Sequence, residues 1–219
     1  MQQIAPTRAL AEFADDLAYH GFRLANHKLT VGLGPAVTAK LAATDACRAD
    51  ETTHGRKILS ADATAAGARS EAELFCVRFG KFLLGHVNQN RSDPRFTTYY
   101  AKAPSAIVGG DIADLSAWLV GVAQAVAQET DATVAAAAQP AVQLAAGWQA
   151  ARHGQLQAEQ SNRQHGEAVR MPLRESVIAL RDKNWLALRQ LATANGLGKR
   201  WPESFYRKAP KGKPGPQET

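Results

Sequence analysis

Leu10-Ala11-Glu12-Phe13-Ala14-Asp15-Asp16-Leu17 carries apolar side chains at Leu10, Phe13 and Leu17, and the pattern is renewed at Leu24. These offsets place all four on one face of an α-helix. Thr7 stands just ahead of the run as a helix-capping residue. The same pattern returns 105 residues later, where Leu115, Trp118 and Val122 fall on Leu10, Phe13 and Leu17. One shift carries the correspondence further. Pro35-Ala36-Val37 falls on Pro140-Ala141-Val142, Gly67 on Pro172 as an equivalent helix boundary, Phe75 on Leu180, Arg78 on Lys183, Leu83 on Leu188 and Arg95-Phe96 on Arg200-Trp201. After one inserted residue, Tyr99-Tyr100-Ala101-Lys102-Ala103-Pro104 falls on Phe205-Tyr206-Arg207-Lys208-Ala209-Pro210. Alanine and leucine matches are common by composition, but the closing aromatic-basic segments are not.

The ordered series predicts a tandem duplication of a helical unit of ~105 residues. The expected fold is all-α: a bundle of long, mostly antiparallel helices. Repeats over residues 1–105 and 106–210 share one core, related by a rotation near twofold, and a basic tail occupies 211–219. Neither half alone carries enough large apolar surface for a comfortable core.

Helix signals dominate between these landmarks. Two glycines in Thr30–Gly34 predict a break, and Pro35 suits the first turn of a new helix. Gly67 predicts a helix end, and Ser70 with Glu73 reads as a capping box opening another. Phe75, Phe79, Phe82 and His86 then form a stripe that should end near residues 88–93. Asp111 with Asp114 opens the next helix, Pro140 interrupts an Ala-rich stretch, and Met171-Pro172 begins a last helix closed by Gly196.

Composition bounds the function. The chain has 219 residues, a mass of 23.5 kDa and 45% apolar residues. Forty-three of these are alanines, so large core-forming side chains are scarcer than that fraction implies. The net charge is +6, yet residues 199–219 hold Lys199, Arg200, Arg207, Lys208, Lys211 and Lys213 against only Glu203 and Glu218. The rest of the chain is therefore close to neutral, which argues against a protein that coats nucleic acid with its whole surface. Cys47 and Cys76 form no metal or redox motif. The first residues lack a basic and apolar leader pattern, and the most apolar run, Ala117–Ala127, is too short to span a bilayer. A cytoplasmic protein without membrane contact is expected.

Candidate chemistry is sparse. Glu51-Thr52-Thr53-His54 is a Glu-x-x-His, but ferritin-like di-metal sites need two such pairs and this is the one present; a solvated helix face is expected. Glu12, Asp16, His20 and His27 share a face that Leu10, Phe13 and Leu17 do not occupy, so it is expected to point outward. Cys76 sits among Phe75, Val77 and Phe79, which suits a buried inert thiol. No phosphate-binding glycine loop or nucleophile motif occurs. No cofactor, metal or catalytic residue is expected. The expected role is a non-enzymatic interaction or structural protein that binds a protein partner or itself. The alternative is nucleic-acid binding by the basic-aromatic segments, with Arg95, Lys102, Lys199, Arg200, Trp201, Arg207, Lys208, Lys211 and Lys213 as candidate contacts. Against that alternative, aromatics that follow a helix can fold back and plug the bundle end.

Overall fold

The computed structural model describes residues 9–207. Among them every regular element is helical and none is a strand. The chain runs through α1 (Leu10–Ala25), a 3₁₀ turn (Val31–Leu33), α2 (Gly34–His86), α3 (Pro94–Tyr99), α4 (Pro104–Val108) and α5 (Ile112–Ala125). It continues through α6 (Ala132–Ala138), α7 (Pro140–His165), a π-helical segment (Gly166–Arg170), α8 (Met171–Ala194) and a closing 3₁₀ turn (Trp201–Phe205). The proposed cap at Thr7 and the tail over 211–219 lie outside the described residues.

Several local signals act as expected. Asp111 takes extended backbone ahead of α5. Gly196 follows α8 at φ +66, the left-handed conformation that ends a helix without steric penalty in glycine. Two further caps, not expected from the sequence, are Asp93 and Asp131, which accept backbone N–H bonds at the starts of α3 and α6.

Gly67 does not end a helix. α2 runs unbroken for 53 residues, and the Ser70–Glu73 capping box lies inside it. Glu73 is instead bound to Arg69 one turn back, at 2.6 Å. The reason is energetic. An interior glycine costs about 1 kcal/mol relative to alanine. Ala65, Ala66 and Ala68, strong helix formers, flank it. The last helix does begin at Met171, but no turn precedes it: the π-helical segment joins it to α7. Pro172 has no N–H to return to the preceding turn. The wider π pattern lies just where that ladder is interrupted.

Two compact units emerge. Among the described residues, unit 1 comprises 9–54 together with 162–207, and unit 2 comprises Gly55–Ser161. In unit 1, Phe13, Leu17 and Leu24 of α1 pack with Val37, Val177, Leu188, Phe205 and Tyr206. Here α1 and α8 run in the same direction, because Asp16 meets Arg181 and, one turn on, His20 meets Asn184. In unit 2, Phe79 and Leu83 of α2 pack with Phe96, Tyr100, Leu115, Leu119 and Trp148. Gly80 makes this possible, since a Cβ there would lie 2.6 Å from the Pro104 ring.

Candidate interaction surfaces

The C-terminal aromatic segment is part of the core of unit 1. Phe205 and Tyr206 are buried, while Trp201 is half-buried and meets Phe205 edge-on at 4.8 Å and His27 at 5.2 Å. The Tyr206 hydroxyl donates to the Arg181 carbonyl at 3.1 Å, and its ring stacks on His20 at 4.6 Å. Arg23 Nε donates to the Ser204 carbonyl at 3.1 Å, and Arg207 reaches Asp15 at 3.3 Å.

This packing overturns the outward placement at Asp16 and His20, while Glu12 is exposed as expected and His27 is half-buried. His20 is only 1% exposed, and Asp16 holds Arg181 at 3.0 Å. The closing turn lands on the side of α1 that carries His20, so that residue is covered as well as the Leu10–Phe13–Leu17 face. His20 Nδ1 lies 3.0 Å from the Phe205 carbonyl and Nε2 lies 3.0 Å from the Asn184 amide nitrogen. These partners select the neutral ring with the proton on Nδ1. Burial holds His20 below its ordinary pKa; the Phe205 bond opposes this, and Arg181 adds to it. As pH falls below about 6.5, the unfolded chain therefore takes a proton that the folded chain refuses. Stability should be level above that pH and decline below it, by at most about 1.4 kcal/mol per pH unit. Urea midpoints at neutral and mildly acid pH check this, and equal midpoints would contradict a neutral buried His20.

The first aromatic segment plays the same structural part in unit 2. Phe96, Tyr99 and Tyr100 are buried. The Tyr100 hydroxyl donates to the Cys76 carbonyl at 2.6 Å, the Tyr99 hydroxyl to Glu129 at 2.6 Å, and Trp118 Nε1 to the Tyr99 carbonyl at 2.9 Å. Burial, then Glu129, holds the Tyr99 phenol far above its ordinary pKa, and burial pushes the Cys76 thiol up to about 11. Arg95 is engaged by Asp131 at 3.2 Å and Lys102 by Asp114 at 3.1 Å. Lys199 and Arg200 are exposed; Lys208, Lys211 and Lys213 lie outside the described residues.

One juxtaposition has no counterpart in the linear pattern of residues. Cys47 Sγ lies 3.7 Å from His165 Nε2, across 118 positions. The His54 ring sits 4.8 Å from that of His165, and Glu51 holds Arg170 at 3.0 Å. Glu51 and His54 are therefore half-buried and engaged, not a solvated face. Burial, then Glu51, raises the Cys47 thiol pKa, the wrong direction for a nucleophile. Among the described residues no group of three or more His, Cys, Asp or Glu is placed to hold a metal ion. None of the described helices is long and apolar enough to cross a membrane.

An open apolar groove of about 500 Å³ lies in unit 2. Leu74, Phe75, Phe79 and Phe82 of α2 form one wall, and Ala137, Pro140 and Leu144 form the other. Leu74 is 48% exposed. Glu71 and Arg78 stand at its rim. No family model matches the chain, and neither a curated protein nor a solved structure is similar to it. These surfaces are therefore the basis on which a function is assigned.

Proposed function

We propose that the protein is a non-enzymatic helical interaction protein with a structural or assembly role. It works by holding a further helix, from a protein partner or a second copy, in the unit 2 groove. The observation that carries this reading is the groove itself: half-buried Phe75 and Phe82 beside an exposed Leu74, with Phe79 buried at their base. The basic-aromatic segments support it indirectly. Their rings are engaged in closing the two cores, so they do not serve as a base-stacking platform. Sedimentation of the full chain over a concentration series tests self-association. Leu74→Glu should shift the protein toward monomer while leaving its melting temperature nearly unchanged, since Leu74 adds little to the core. A wild-type chain that stays monomeric throughout would overturn self-association and leave a different protein as the occupant.

The same reading includes the internal duplication. Leu10 and Leu115, Leu17 and Val122, and Leu83 and Leu188 are buried pairs at the 105-residue spacing. The tyrosine bonds match as well: Tyr100 reaches the carbonyl of Cys76, and Tyr206 reaches that of Arg181. Cys76 and Arg181 are 105 positions apart, and the tyrosines 106, the difference being the inserted residue. On this reading each compact unit combines the first helix of one repeat with the closing segment of the other. The copies have diverged most where unit 1 holds Asp16, His20, Arg181 and Asn184. Their counterparts are Gly121, Ala125, Cys76 and Phe79. An experimental structure in which the two units fail to superpose over these helices would remove the duplication.

A further inference from the structure

We infer that the end of unit 1 formed by the C-termini of α1 and α8 binds the phosphate backbone of double-stranded nucleic acid, without reading its sequence. This goes beyond the groove reading and does not depend on it.

The surface is assembled from residues far apart in the chain. Arg23 and Lys28 belong to the end of α1 and the turn after it; Lys199 and Arg200 follow α8. All four are exposed. The aromatic contacts bring them to one end. His27, beside Lys28, meets Trp201, beside Arg200, at 5.2 Å, and Arg23 lies over Phe205 at 5.9 Å. The bond from Arg23 to Ser204 uses one of the five N–H donors of a guanidinium. Nearby acids do little to cancel this charge. Asp15 is held by Arg207 and Asp16 by Arg181, which leaves Glu203 of the closing turn as the acid beside the four cations.

Helix dipoles alone do not account for the cluster. Because α1 and α8 run in the same direction, both carboxyl ends point to this end, each worth about half a negative charge. Together they match about one cation, not four. The excess is what a polyanion would recognise. The chemistry also selects among polyanions. The rings of Phe205 and Tyr206 are buried and Trp201 is packed against Phe205 and His27, so no free platform for stacking bases is present in this segment. Binding by this segment then rests on phosphates, and Phe22, 71% exposed beside Arg23 on α1, is a single ring and not a run on which successive bases could stack. A duplex, with one charge per about 1.7 Å of axis, is favoured over a single strand with half that density.

The test is fluorescence anisotropy of the full chain with a labelled short duplex of random sequence, across salt from about 50 to 200 mM. The expected plot of log affinity against log salt is steep and the same for unrelated sequences. Lys199→Gln with Arg200→Gln should reduce its slope by about 1.8, and Lys28→Gln alone by about 0.9, at about 0.9 for each phosphate left unneutralised. All three side chains are exposed, so circular dichroism and melting temperature should not change. Leu74→Glu should leave the slope unaltered, which separates this proposal from the groove. The proposal is overturned by the absence of duplex binding at the lowest salt, or by wild-type slopes in the Lys28 and Lys199/Arg200 variants. It is equally overturned if removing residues 208–219 abolishes binding while those variants bind like wild type, because the tail alone would then be responsible. Binding to anionic lipid vesicles but not to the duplex would show that the partner class is wrong.

Discussion

Phe205→Ala should destabilise the protein by about 3–5 kcal/mol, the usual cost of truncating a buried aromatic. Phe205 is 2% exposed and packs with Phe13, Leu17 and Leu188 in unit 1. Its carbonyl also receives the His20 bond, so a displaced closing turn would loosen the buried polar contacts as well. Trp201→Ala should cost less. Of the aromatics expected to plug the bundle end, Trp201 is half-buried and Phe205 takes the inner position. Arg207→Ala should cost at most about 1 kcal/mol, because its pair with Asp15 is exposed on both sides. Urea unfolding at neutral pH ranks the three variants. A loss below about 1 kcal/mol for Phe205→Ala would mean that the closing turn is not part of the core.

Asp16→Ala should be about as damaging, at about 3–5 kcal/mol, the range for breaking a buried ion pair by removing one member. The Arg181 side chain is only 8% exposed and meets Asp16 at 3.0 Å. It also lies over the Tyr206 ring at 5.2 Å, so its charge sits against the segment that closes the unit. The double variant Asp16→Ala/Arg181→Met should recover much of the loss, since an apolar pair needs no desolvated charge. A double variant as unstable as the single one would show that Arg181 contributes by packing and not through Asp16.

The legible part of the fold is the part set by short-range rules. Leu10, Phe13 and Leu17 mark a buried face because a helix brings offsets of three and seven to one side. Gly196 ends α8 because glycine alone enters the left-handed region freely. The same rules fail at Gly67 and at the Ser70–Glu73 box, where each signal is worth about 1 kcal/mol and a long alanine-rich helix outweighs it. The groove walls illustrate the boundary between the two kinds of information. Phe75, Phe79 and Phe82 are visible as a stripe on α2, but that they face Pro140 and Leu144 across open space is not.

Helical class, the aromatic closing segments and most helix ends were determined by the order of residues alone, since propensity, capping and periodicity act within a few positions. Tertiary structure decided which polar residues are buried. It turned Asp16 and His20 inward, set Cys47 against His165, and gathered Lys28 and Arg200 at one end of unit 1. The physical reason is that a side chain's burial depends on which distant element covers it. His20 reads as a surface residue on its own helix, and becomes a core residue only because the turn carrying Phe205 and Tyr206, 185 positions later, closes over it.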